Sequence, residues 1–136
     1  MRALDPASLE LRFHAEPELA APLRQHLRSW LSWLGAKSDE IFDVLIAVSE
    51  AFANAVEHPR ERRLDQIDVD GSAAGDTITL SVRDYGSWQH DRLRPGGNGF
   101  RLMRELMDAV EVDCWIDGTT ITMRRRLAGP LRTAST

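Results

Sequence analysis

The sequence predicts an α/β two-layer sandwich, with helices packed on one face of a mixed, mainly antiparallel sheet. Three observations lead there. Segments 17–34 and 38–58 carry apolar residues at helical spacing. Shorter segments around 9–13, 66–72, 77–83, 110–116 and 119–126 alternate apolar and polar residues, as half-buried strands do. The last four of these fall into two hairpins, and hairpins with helices between them leave one sheet face for the helices to cover.

Each element has a local cause. Leu9, Leu11 and Phe13 alternate with Glu10, Arg12 and His14, which predicts the first strand. Pro17 opens a helix whose apolar stripe includes Leu19, Leu23, Leu27, Trp30, Leu31 and Leu34, and Gly35 stands where a helix stops. Ser38 is the expected N-cap of the second helix, with Ile41, Val44, Leu45, Val48, Phe52 and Ala55 as its stripe and Pro59 as its end. Ile67 and Val69 mark a weaker strand, Ala73 to Asp76 a turn, and Ile78, Leu80 and Val82 a clear strand. From Asp84 to Asn98 a loop with Gly86, Pro95, Gly96 and Gly97 is expected, long enough to have a function. A helix from Gly99 to about Ala109 follows, with Leu102, Met103, Leu106 and Met107 as its stripe. Two strands around a turn at Asp117 and Gly118 close the domain. Residues 1–128 read as one domain, and 129–136, rich in small residues, as a disordered tail.

Bulk composition narrows the function. With 136 residues and 43% hydrophobic content, one domain with one core is expected. The net charge of −4 provides no overall basic field, which argues against direct nucleic-acid binding. Arg124, Arg125 and Arg126 are the one basic run, read as a solvated strand end. Cys114 is the only cysteine, so no intrachain disulfide or cysteine metal site is possible. It is read as a packing residue in a chain suited to the reducing cytoplasm. No apolar run approaches the ~20 residues that span a bilayer, so no membrane association is expected.

Three short patterns carry chemistry. In Glu50-Ala51-Phe52-Ala53-Asn54-Ala55-Val56-Glu57-His58, Glu50, Asn54 and His58 recur at i, i+4 and i+8 and share one side of a helix. An amide oxygen suits Mg²⁺, and a neighbouring carboxylate could take a proton from a hydroxyl. A solvent-facing polar row would show the same spacing. In Val82-Arg83-Asp84-Tyr85-Gly86, a carboxylate at a strand end could accept a hydrogen bond from an exocyclic amine such as that of adenine. Gly86 would let a flat ring approach the backbone, although Asp-x-Gly is also common in ordinary turns. In Gly97-Asn98-Gly99-Phe100-Arg101-Leu102-Met103, a glycine-rich loop feeds a helix N-terminus, an arrangement suited to phosphate. The Walker-A lysine is absent, and Lys37 is the only lysine.

Together, in this order, the three patterns resemble the N, G1 and G2 boxes of the GHKL ATPase superfamily. More narrowly, they resemble the anti-sigma-factor serine kinases of the RsbW type. The resemblance extends through Met107-Asp108 and Gly118-Thr119 and covers nearly the whole chain. It departs at Trp88, which stands where the G1 box often has a second glycine, and the stretch from Gly86 to Gly97 is short for a GHKL lid.

The resemblance implies a Bergerat sandwich that binds ATP and Mg²⁺. Asp84 would meet adenine, supported by Thr119, and Gly86 would border the ring. Asn54 would hold the metal, the Gly97 and Gly99 amides the phosphates, and Glu50 would be the catalytic base, with His58 assisting. The implied partners are a STAS-type anti-anti-sigma protein, whose serine or threonine is phosphorylated, and a sigma factor held in the alternative complex. A homodimer is also implied, with the Leu9–Phe13 strand as its edge. Two alternatives stand beside this reading: a non-catalytic sequestering module, and the kinase domain of a larger phosphatase–kinase regulator.

Overall fold

The computed structural model describes residues 7–57, 59–88 and 98–132. In chain order it contains strand β1 (Ser8–Phe13), a 3₁₀ turn (Pro17–Leu19), helices α1 (Ala20–Leu34) and α2 (Ser38–Glu57), strands β2 (Pro59–Ala74) and β3 (Thr77–Trp88), helix α3 (Asn98–Leu106), and strands β4 (Ala109–Trp115) and β5 (Gly118–Arg126). The five strands form one sheet in the order β1-β2-β3-β5-β4. All four pairings are antiparallel, so the mixed character allowed for by the sequence does not occur among the described residues.

Strand alternation divides the sheet into two faces. Ile67 and Val69 of β2, Ile78, Leu80 and Val82 of β3, and Ile121 and Met123 of β5 are buried beneath the helices. The helices contribute the stripes that periodicity predicts, with Leu23, Leu27, Leu31, Val44, Val48 and Phe52 essentially inaccessible. The ring of Phe52 meets Phe13 edge to face at 5.9 Å between centroids. The opposite face is polar. There Arg12 pairs with Asp68 and Asp70, and the Tyr85 hydroxyl donates to Asp68, as suits a sheet with one face open to water.

Several boundaries differ from expectation, each for a local reason. Pro17 starts a 3₁₀ turn, and the α-helix proper begins at Ala20. It ends at Gly35, whose φ of 97° lies in the left-handed region. Lys37, not Ser38, caps α2. The Lys37 carbonyl accepts from Ile41 N at 2.9 Å, and Glu40 Oε1 accepts from Lys37 N at 2.9 Å, one half of a capping box. β2 is longer than 66–72 because it stays paired with β3 back to Pro59, and the register shift between Arg62 and Ile67 hides that part from a reading by alternation. α3 begins at Asn98 and stops at Leu106, short of Ala109, because Asp108 N turns to the Arg124 carbonyl of β5.

The expected tail is also corrected at its start. Leu131 is buried, its N–H donates to the Gly75 carbonyl, Arg132 N donates to the Leu34 carbonyl, and the Arg132 guanidinium lies over the Trp33 ring. Residues 133–136 lie outside the described residues.

Candidate functional site

Asp84 was expected at the end of a strand, but β3 continues past it to Trp88. What ends at Asp84 is the pairing on one side. β5 pairs with β3 as far as Asp84↔Thr119, whereas β2 follows β3 to Pro59↔Trp88. Beyond Asp84, β3 therefore has β2 on one side and no β5 on the other. Asp84 and Thr119 are cross-strand neighbours on the helix-covered face, 1% and 3% exposed. Gly86, also buried, donates its N–H to Asp84 Oδ1 at 3.2 Å. A buried carboxylate is costly without hydrogen-bond donors, so this group is built to receive them.

The register depends on Gly118. A Cβ there would stand 2.2 Å from the Asp84 carbonyl oxygen. Only glycine permits this approach, and the approach places Thr119 beside Asp84. On the other side of β5, Cys114 is the partner of Thr119. It was read as packing but is exposed on an edge strand. Partial burial raises its thiol pKa, with a hydrogen bond to Thr119 acting in the opposite sense, so the thiol is not activated as a nucleophile.

Glu50 and Asn54 lie one turn apart on α2, both partly buried. Glu50 borders a groove of about 370 Å³, lined also by Arg24 and Arg28 of α1 and by Phe42, Ile46 and Ser49 of α2. Sequence reasoning missed this groove, because its walls come from two helices. Asn54 Nδ2 is buried without a hydrogen-bond partner among the described residues. An amide placed this way can turn its oxygen toward a cation, which makes Asn54 chemically suited to Mg²⁺. Among the described residues no cluster of acidic, histidine or cysteine side chains could hold a metal by itself.

The carboxyl end of α2 is held by Arg62 of β2, which donates to the Ala55 and Val56 carbonyls, the shortest bond being 2.7 Å. α2 packs against α3 and β3, so the helix carrying Asn54 adjoins the element that begins at Asn98 and contains Gly99. His58 lies outside the described residues, as do residues 89–97, Gly97 among them. The structure thus joins Asp84, Gly86 and Thr119 at one point, and sets Glu50 and Asn54 along the neighbouring helix.

Comparison with known proteins identifies the family of the chain. Residues 13–125 match the histidine kinase-like ATPase domain. The serine-protein kinase RsbW of Bacillus subtilis is 32% identical, the match covering 89% of this chain and 86% of the relative. The anti-sigma F factor of Clostridium beijerinckii is 28% identical, covering 87% of this chain and 93% of that protein. A solved Mycobacterium tuberculosis structure of RsbU and RsbW domains superposes with a TM-score of 0.76 at 31% identity, over 92% of this chain and 34% of the other. This chain belongs to the histidine kinase-like ATPase family and, within it, to the RsbW group of serine-protein kinases.

Proposed function

We propose that this protein is an anti-sigma factor with serine/threonine kinase activity, using ATP and Mg²⁺ to phosphorylate a STAS-type anti-anti-sigma protein and so setting how much sigma factor is free. The observation that carries the reading is the buried Asp84–Thr119 pair where β5 leaves β3, in a chain similar to serine-protein kinases over 89% of its length. Asp84 accepts from the adenine amine, Thr119 adds a hydroxyl, and Gly86 keeps the backbone open to the ring. The Asn54 amide oxygen would hold the metal, and the amides of Gly97 and Gly99 would meet the phosphates. Bound Mg²⁺ would supply charge neutralisation on the transferring phosphoryl group.

Glu50 accepts the proton that the acceptor hydroxyl loses as its oxygen bonds to the γ-phosphorus and ADP departs. The groove beside Glu50 opens on the outside of the domain, which suits a base acting on a partner's side chain. In this reading the protein works in the cytoplasm, and no described helix is long and apolar enough to cross a membrane. It forms a homodimer along β1, an edge of the sheet. A second reading, in which the domain acts inside a larger regulator, is favoured by the Mycobacterium relative, whose RsbW domain shares a structure with an RsbU domain.

The test is incubation with labelled ATP–Mg²⁺ and candidate STAS proteins, with thermal unfolding measured in parallel. ATP at about 100 times its dissociation constant should add roughly 2.7 kcal/mol of stability. Asp84→Ala should abolish that shift. Glu50→Ala should keep the shift but lose ~10²–10⁴-fold in transfer rate. Parental transfer by Glu50→Ala would remove Glu50 as the base. Sigma-factor binding without any transfer by the parent would favour a sequestering module.

A further inference from the structure

The arginine run at the end of β5 was read from the sequence as a solvated strand end, and the proposed function leaves it unused. Alternation sends its members to opposite faces of the sheet. Arg124 and Arg126 stand on the open face and pair with Glu111 and Asp76. Arg125 turns to the helix layer, its side chain only 20% exposed. Its Nη1 donates to Asp43 Oδ2 at 3.1 Å and to the Leu106 carbonyl at 2.6 Å. Asp43 belongs to α2, about two turns before Glu50. Leu106 is the last residue of α3. One guanidinium on β5 thus joins the two helices between which the proposed phosphate end of the site is divided.

The chemistry suits such a joint. Carbonyls in the last turn of a helix lack intrahelical partners and lie at the negative end of its dipole, where a cation is favoured. A guanidinium is a rigid, always charged group whose N–H donors can serve a carbonyl and a carboxylate together in a fixed geometry, with less ordering than a flexible lysine stem needs. α3 has nine residues, so it is only about 13 Å long. A shift at its carboxyl end is therefore carried to the amino end, where Asn98 and Gly99 lie. The adenine side is remote. Arg125 pairs with Ile78 while Thr119 pairs with Asp84, a separation of about 20 Å along the strand.

We propose that Arg125 is a positioning residue for the phosphate end of the nucleotide site, holding the amino end of α3 in place against Asn54 of α2. This rests on the proposed function and deepens it. It concerns neither the adenine contact nor the proton transfer.

The experiment compares calorimetric binding of ATP–Mg²⁺ and of adenosine by the parent, Arg125→Ala, Arg125→Lys and Asp43→Asn, with folding checked by circular dichroism. Arg125→Ala should weaken ATP–Mg²⁺ roughly tenfold to a hundredfold, the usual scale of coupling between a distant residue and a binding site, while adenosine changes by less than about twofold. Arg125→Lys should recover part of the loss, because its charge is retained. Asp43→Asn should show a smaller loss of the same kind. Parental ATP affinity in a folded Arg125→Ala protein would overturn the proposal, as would equal losses for ATP and adenosine, which mark general loosening. If Arg125→Ala does not fold, the same comparison in Arg125→Lys and Asp43→Asn decides, parental ATP affinity in both sinking the idea. A parent that binds neither ligand would instead defeat the proposed function itself.

Discussion

Gly118 shows how a single residue can set the site. In the sequence it is a turn glycine after Asp117. In the fold its missing side chain allows β5 to close on the Asp84 carbonyl oxygen, which a Cβ would approach to 2.2 Å. The obstacle is backbone, which cannot swing aside as a flexible side chain can. Gly118→Ala should therefore push the start of β5 away from β3, costing about 1–3 kcal/mol, the usual range for overpacking. Because Thr119 moves with it, ATP affinity should fall as well. Urea unfolding and calorimetry on the same variant check both effects. A variant that loses stability but binds ATP as the parent does would show that Thr119 is not needed beside the ring.

At the scale of elements, the placement of α2 depends on Glu40 as much as on the apolar stripe. Its carboxylate is buried and accepts from Lys37 N at 2.9 Å and from Ala128 N at 2.7 Å. It thus caps α2 and ties the segment after β5 to that cap. A carboxylate in the first turn also meets the positive end of the helix dipole. Glu40→Ala leaves two N–H groups without their acceptor, and hydrogen bonds to a charged group are worth about 1.5–3 kcal/mol each. Since Lys37 and Ala128 are exposed, water can serve part of the freed N–H groups, and a loss of about 2–3 kcal/mol is expected, read as a lower urea midpoint with an unchanged slope. Glu40→Gln should lose less, because its amide oxygen can still serve one donor.

For the molecule as a whole, the open sheet face and its turns bear paired charges that make stability depend on acid. The Asp76 carboxyl lies below the ordinary 3.8, chiefly through the hydrogen bond from Arg126 Nε at 3.0 Å, with Thr77 adding a second. Asp65 is lowered in the same sense, chiefly by the Ala15 N–H and then by His14. A carboxyl depressed in the folded state contributes stability that is fully present above its unfolded value and is lost as pH falls through the folded one. Unfolding midpoints should therefore drop as pH falls below about 4, and Asp76→Asn should flatten that drop by lowering the midpoint slightly near neutrality and leaving it unchanged in acid. Both groups are well exposed, so the effect should shrink in high salt. An identical acid profile in Asp76→Asn would assign the loss to other carboxylates.

The sequence by itself determined the features that are written within one element. The apolar stripes of α1 and α2 follow from 3.6-residue periodicity, and the buried residues of β3 from alternation. The spacing of Glu50 and Asn54 on one helical side follows from the same geometry, and so does the family resemblance. What only the tertiary structure decided depends on how distant segments meet. Period-2 alternation shows which face a strand residue takes, but not which strand lies beside it or in what register. Hence the pairing of Thr119 with Asp84, the continuation of β3 along β2, and the groove between α1 and α2 were not legible. The same limit hid the role of Arg125, whose neighbours in sequence are two exposed arginines and whose partners come from two helices. It also hid the anchoring of Leu131, since a short tail of small residues is ordered only by the surface it finds. Local pattern sets faces and periods, whereas register and packing between layers are settled by contacts far apart in the chain.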